Sequence, residues 1–235
     1  RRGAHGPLRA ARDRRGWGRA VSTDLSAVAE TLTRELSARY RSTVVAPSHV
    51  GAVIARGLLR ALAAAIPGAS AVVDAILSRA DHTSVTIPLL AGGCLVILAP
   101  QHMGDALLRC EVVCHEHQHA AYIEAEPDAA VIVDYLGSGE LRAIRESEAY
   151  AVGMWVRYLL TGEIPTLDSA LASLSGDTYH LDAGDVATAR AALESHLDTM
   201  RAGVVPPLRV CRAVLEILQQ HHPDAIVPPE HGAPS

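Results

Sequence analysis

The chain has 235 residues, of which 49% are hydrophobic and 20% charged, so it is long enough to bury a core within one domain. Its formal net charge of -5 argues against nucleic acid as the main partner, because phosphate binding requires a basic face. The longest apolar run covers only residues 87–100, whereas a bilayer span needs about 20 residues, so no transmembrane segment is expected.

The two ends of the sequence differ from the rest in composition. Residues 1–22 are rich in arginine and glycine and residues 223–235 in proline, so we expect a flexible basic leader and a flexible tail around one domain at 23–222. The cysteines show no disulfide spacing, and the first residues lack the apolar stretch of a secretory signal. Reduced thiols and a cytoplasmic location follow as expectations, with a mature secreted form as the alternative.

Hydrophobic periodicity predicts a mostly helical chain. The predicted helices cover about residues 23–41 (with Ser22 or Thr23 as N-cap), 48–65, 70–80, 104–124, 140–160, 183–201 and 207–221. Between them, the β-branched and aliphatic residues at 83–90 and 94–99 predict a β-hairpin with an available edge strand. Residues 125–139 are expected to form a looser connection. The fold class is therefore α+β, mostly helical, with a short hairpin packed on the 104–124 helix.

One helix carries the segment His-Glu-His-Gln-His at 115–119. His115 and His119 are four residues apart, so on a helix both imidazoles project from one face and can reach one metal ion. Glu116 points about 100° further round the helix, where its carboxylate can face a water at the metal. This H-E-x-x-H pattern supplies two zinc ligands and a general base. Its alternative reading is a surface helix with clustered histidines.

A catalytic zinc site needs a third protein ligand and one open position. The later stretch Glu146-Ser147-Glu148-Ala149-Tyr150 resembles the E-x-x-A-D or E-x-x-A-N stretch of the gluzincins, zinc metallopeptidases in which a glutamate on a later helix completes the site. The resemblance covers about residues 83–160. It implies that Glu146 is the third ligand, with Glu148 as the alternative. Tyr150 departs from the family pattern, which more often has there an acid or amide that supports a ligating histidine.

The resemblance implies a small zincin-like metallopeptidase domain of the minigluzincin kind, with Zn²⁺ as its cofactor. It implies hydrolysis of a peptide or protein substrate, with Glu116 as the general base and no covalent intermediate. Tyr135, Tyr179 and His180 follow the motif in sequence and are the candidates that stabilise the oxyanion.

Other readings of the same residues stay open. A non-catalytic binding or structural protein, phage or virion-associated for example, could use the site to clamp helices together with no open coordination position. A zinc hydrolase that acts on a small amide or on peptidoglycan is a third alternative. Cys110, Cys114 and His117 form a second stripe on the same helix, which indicates packing in the core more simply than a second metal.

Overall fold

A computed structural model describes residues 24–65, 69–78, 84–89, 92–126, 129–174 and 178–227. These residues form ten α-helices and one three-stranded sheet, which confirms the predicted α+β, mostly helical class. The predicted leader lies outside the described residues, as do residues 228–235 of the predicted tail. Among the described helices, none combines the length and the apolar content needed to cross a membrane.

The elements follow one another without a repeat. In chain order they are α1 (Leu25–Arg39), β1 (Ser42–Val45), α2 (Val50–Ala63), α3 (Ala69–Ser78), β2 (Val85–Pro88), β3 (Cys94–Ile97), α4 (Gln101–Gly104), α5 (Ala106–Ala125), α6 (Ala129–Gly137), α7 (Gly139–Thr161), α8 (Leu167–Leu174), α9 (Ala183–Arg201) and α10 (Arg209–His221). A short 3-10 turn, Pro223–Ala225, follows α10. All seven predicted helices and the predicted hairpin are present, with ends that differ by a few residues.

The sheet has β3 in its centre, paired antiparallel with β2 and parallel with β1. Successive side chains of β3 point to opposite faces, and all four are buried. Cys94 and Val96 enter the main helical core, whereas Leu95 and Ile97 pack beneath α2. This burial on both faces is typical of a central strand. It leaves β2 at one edge of the sheet, next to α5.

The main core lies between helices. α5 packs against α1 on one side and α7 on the other, and α7 in turn packs against α9. The shared cluster contains Leu32 of α1, Val113 of α5, Val156 of α7, Leu193 of α9 and Val214 of α10, all fully buried. α5 and α7 are therefore held in the core by neighbours on more than one side.

Several parts of the chain differ from the sequence prediction. Residues expected to form a loose connection instead form α6, because Ile132 and Leu136, four residues apart, pack against the cluster around Val73 of α3. The strand β1 and the helix α8 were not predicted. The N-cap of α1 is Asp24, whose carboxylate accepts hydrogen bonds from two backbone N–H groups in the first turn, and not Ser22 or Thr23.

Candidate metal centre

The candidate site is built on α5 and α7, whose starts are both capped. Asp105 accepts a hydrogen bond of 3.0 Å from the backbone N–H of Leu108 at the start of α5. Ser138 caps α7 through the backbone N–H of Leu141 at 3.1 Å. Each cap satisfies a backbone donor that the helix leaves unpaired, and so determines where the helix begins. The helical periodicity then determines which side chains of α5 face α7.

The structure brings His115, His119 and Glu146 together. The Nε2 atom of His115 lies 3.5 Å from Oε2 of Glu146, and the Nε2 atom of His119 lies 3.4 Å from its Oε1. The ligand atoms of all three residues lie within 4.8 Å of one another, and Glu146 is buried. Among the described residues, this is the group of histidine, cysteine and acidic side chains that can hold a metal ion.

The separations suit a metal better than direct hydrogen bonds. A charge-assisted N–H···O bond is about 2.7–2.9 Å long, shorter than both observed distances. Tetrahedral ligands at about 2.1 Å from zinc would instead stand roughly 3.4 Å apart. In addition, Oε2 of Glu146 is buried without a hydrogen-bond partner among the described residues. A cation between the two imidazoles would satisfy this oxygen, so the three residues fit a metal ion.

The neighbouring histidines keep the carboxylate of Glu146 ionised. Burial pushes the pKa of Glu146 upward, but the neighbouring His119 and His115 outweigh burial and hold that pKa well below its ordinary value. Conversely, burial lowers the pKa of His119, and Glu146 outweighs it and raises that pKa. An ionised carboxylate beside two imidazoles is the donor set that borderline divalent cations such as zinc accept.

Glu116 lies beside the group and does not belong to it. It is buried, and its carboxylate Oε2 is 2.8 Å from the hydroxyl of Thr86 on the edge strand β2. The same hydroxyl lies 2.9 Å from the Glu116 carbonyl oxygen. Burial raises the pKa of Glu116, an effect opposed by His115, His119 and the Thr86 hydrogen bond. Glu116 is thus oriented by the sheet, and its pKa is displaced towards the range of a general base.

Tyr135 of α6 is the oxyanion candidate that reaches the metal group. Its hydroxyl donates a hydrogen bond of 2.6 Å to Oε1 of Glu146, and its ring stands edge-on to that of His119. Burial and Glu146 raise the pKa of Tyr135 well above its ordinary value, so the phenol keeps its proton. Because Oε1 accepts this bond, Oε2 is the oxygen left without one.

The other two oxyanion candidates have no hydrogen bond to the metal group among the described residues. Tyr179 is buried, lines the same cavity as the metal group and hydrogen-bonds to the hydroxyl of Tyr150. Tyr150 places its ring edge-on to His115, with 4.8 Å between the ring centres. It therefore supports His115 by ring packing, whereas the acid or amide of the gluzincin pattern would support it by a hydrogen bond. His180 is exposed and is not among the residues that line the cavity.

Arg142 of α7, which sequence reasoning did not single out, holds the surroundings of the site in place. It is buried, and its guanidinium donates hydrogen bonds to the backbone carbonyl oxygens of Tyr135, Leu136, Tyr179 and His180. It thereby ties the C-terminal end of α6 and the segment before α9 to the helix that carries Glu146. No sequence motif signals this role, since the acceptors are backbone atoms.

The metal group opens into a small cavity of about 120 Å³. Its walls come from β2 and from helices α2, α3, α5, α6 and α7. Most of the wall surface is apolar, and Leu59, Val73, Val85, Ile132 and Leu136 are among the lining residues. We call this space the metal cavity. A second cavity of about 600 Å³, the adjoining cavity, shares only His115 with the metal cavity. His115 therefore stands at the boundary between the two.

The remaining sequence candidates do not join the metal group. Glu148, the alternative ligand, points towards Arg145, with 4.0 Å between their charged atoms. Cys110 and Cys114 are buried free thiols in the main core. His117 is fully buried; its Nδ1 donates to the Val113 carbonyl at 2.6 Å, and burial lowers its pKa to about 4. The second stripe on α5 is therefore part of the core, and all four cysteines are free.

Comparison of the chain with protein-family models, curated proteins and solved structures gave no match. The chemistry of the site therefore follows from its own residues and geometry.

Proposed function

We propose that this protein is a zinc-dependent peptidase. The observation that carries the proposal is the grouping of His115, His119 and Glu146 beside the buried carboxylate of Glu116 at one cavity. Two imidazoles and one carboxylate form the ligand set of open zinc sites that catalyse hydrolysis. The resemblance of the two motifs to the gluzincins supports the same proposal.

Zinc bound at these residues would supply a Lewis acid that polarises the substrate carbonyl and makes water a stronger acid at neutral pH. Glu116 then accepts a proton from the attacking water and passes it to the leaving amine. The hydroxyl of Thr86, 2.8 Å from the Glu116 carboxylate, orients that carboxylate towards the cavity. Tyr135 keeps its proton and donates it in a hydrogen bond to Oε1 of Glu146, so its hydroxyl can stabilise the developing oxyanion only if it gives up that bond in the substrate complex.

The edge strand β2 provides a place for an extended substrate. Its residues Val85, Thr86 and Pro88, together with Ser84 just before it, line the metal cavity. Leu89 donates to the Gly93 carbonyl across the hairpin, and the antiparallel alternation then directs the backbone groups of Thr86 away from β3. An extended peptide can pair with these groups as an added strand. Pro88 has no backbone N–H, which suits it to the free edge.

The function is tested by replacing the general base alone. Glu116→Gln keeps the shape of the side chain but cannot accept the proton, so we expect hydrolysis of a quenched fluorescent peptide library to fall by about 10³-fold or more. Zinc content, measured by elemental analysis, should be unchanged. Glu124→Gln is the matched control, because Glu124 lies on the same helix and is exposed.

The two outcomes separate a catalytic from a structural zinc site. Hydrolysis that requires both zinc and Glu116 supports the peptidase. A zinc-loaded wild-type protein with no Glu116-dependent hydrolysis would instead favour the non-catalytic alternative, since a structural zinc site does not need Glu116.

A further inference from the structure

Arg145 of α7 brings a positive charge to the metal cavity. It precedes Glu146 in sequence, lines the same cavity, and has a side chain only 19% exposed. Its guanidinium carbon lies 3.6 Å from the centre of the Tyr122 ring, a stacking contact with α5. Among the described residues that line this cavity, Arg145 is the only arginine, and the sequence contains no lysine.

The acidic neighbours of Arg145 are too distant to occupy its hydrogen-bonding groups fully. Glu126 lies 3.7 Å away and is 57% exposed, and Glu148 lies 4.0 Å away. Both distances exceed that of a hydrogen bond. A close bidentate contact with a carboxylate, the geometry that a guanidinium prefers, is formed with neither. The stacking on Tyr122 therefore positions the planar group without consuming its donors.

Among the described residues, no carboxylate that lines the metal cavity is left to balance Arg145, whose partners Glu126 and Glu148 lie outside the lining. The carboxylates of Glu116 and Glu146 balance the two positive charges of a zinc ion. Arg145 is then the unbalanced charge among the groups that line this small, mostly apolar space. In such surroundings an unbalanced cation attracts an anionic group of the ligand strongly.

On the basis of the proposed function, we propose that Arg145 binds a carboxylate of the substrate next to the scissile bond. The metal cavity, at about 120 Å³, is smaller than the 300 Å³ or more of ordinary ligand sites. It suits one substrate residue with its carboxylate. The carboxylate belongs either to the C-terminus of the substrate or to an aspartate or glutamate side chain.

Binding to an inactive protein tests this proposal separately from catalysis. In zinc-loaded Glu116→Gln protein, calorimetry would compare three blocked tripeptides: Ala-Ala-Leu with a free C-terminal carboxylate, the same peptide as an amide, and Ala-Ala-Glu as an amide. We expect one of the two carboxylate peptides to bind at least about tenfold more tightly than the Leu amide. The peptide that does so identifies the source of the carboxylate.

Variants of Arg145 in this background identify the binding group. Arg145→Gln should remove the preference, and Arg145→Lys, which keeps the charge, should retain part of it. Arg190→Gln, on the exposed face of α9, is the control and should leave the preference intact. Zinc content and thermal midpoint of each variant show that the site and the fold persist.

Three results would overturn the role of Arg145: equal affinity for all three peptides, a preference that survives Arg145→Gln, or no binding of any peptide at millimolar concentration. Cleavage by the wild-type protein is measured in parallel. Glu116-dependent cleavage without a carboxylate preference would refute the role of Arg145 and still support the proposed peptidase. A carboxylate preference without any cleavage would count against the peptidase and would leave Arg145 only as a carboxylate-binding residue.

Discussion

Two glutamates, two positions apart on one helix, meet different surroundings. Residues two apart on an α-helix point about 200° away from each other, so Glu146 and Glu148 cannot share one role. Glu146 faces α5 and the two histidines, whereas Glu148 turns towards Arg145. The E-x-x-A stretch in the sequence favoured Glu146 as the third ligand, and Glu146 is the one that lies in the metal group.

Thr86→Val tests how far the edge strand orients Glu116, the proposed general base. Valine keeps the shape of threonine and removes the hydroxyl that bonds to the Glu116 carboxylate. We expect kcat on a cleaved peptide to fall about tenfold, the loss of one hydrogen bond to a charged group, with zinc content unchanged. Thr199→Val on the exposed face of α9 is the control. Unchanged kcat in Thr86→Val would remove the positioning role from Thr86.

The cysteines should be inert in the folded protein. All four are buried, and burial raises the pKa of Cys94 and of Cys110 to about 12. A raised pKa leaves the unreactive thiol form dominant throughout the neutral and mildly alkaline range. An aromatic disulfide reagent at pH 8 should therefore label no thiol in native protein and all four in guanidinium. Rapid labelling of native protein would contradict this burial.

At the scale of elements, local signals predicted the helices better than they predicted the connections. The hydrophobic periodicity of α5, α7 and α9 identified these helices, and the glycines of the hairpin identified its turn. Gly93 has a positive φ of 77°, a backbone conformation that glycine adopts without strain. Such constraints are local, so they can be read from the sequence.

The elements that the sequence analysis missed depend on contacts distant in sequence. β1 has four residues and exists as a strand because it pairs with β3, about fifty positions later. α6 is short and apolar, and it is stabilised by packing against α3. Tyr135 lies on α6. Because the sequence did not predict α6, it also did not predict the contact between Tyr135 and Glu146. Local sequence patterns carry no information about packing partners that are distant in sequence.

Arg142→Ala tests the clamp that joins α6 and the segment before α9 to α7. Without the guanidinium, four backbone carbonyls lose a charged donor, so we expect the free energy of unfolding to fall by about 3 kcal/mol in urea titrations. Arg142→Lys should restore only part of it, since lysine lacks the planar fork. Arg190→Ala, at an exposed ion pair, should change stability by less than about 0.5 kcal/mol. A similar effect of both alanine variants would refute the clamp.

At the scale of the whole molecule, the site exists because the fold brings four separate elements to one cavity. α5 contributes two histidines and Glu116, α7 contributes Glu146 and Arg145, α6 contributes Tyr135 and β2 contributes Thr86. The two histidines and Glu116 could be found from the sequence because metal geometry imposes short spacings on them, whereas Glu146 was found through the resemblance of its stretch to the gluzincin pattern. Thr86, Tyr135 and Arg145 reach the site only through the tertiary fold, and no spacing in the sequence indicates their positions.

The central claim is that this chain binds zinc through His115, His119 and Glu146. Elemental analysis of protein purified without chelator measures it most directly, on the wild type and on the Glu146→Ala and Glu148→Ala variants. The account predicts about one zinc per chain in the wild type and in Glu148→Ala, and loss of most of it in Glu146→Ala. A wild-type protein without zinc, or a Glu146→Ala variant that keeps it, would contradict the account.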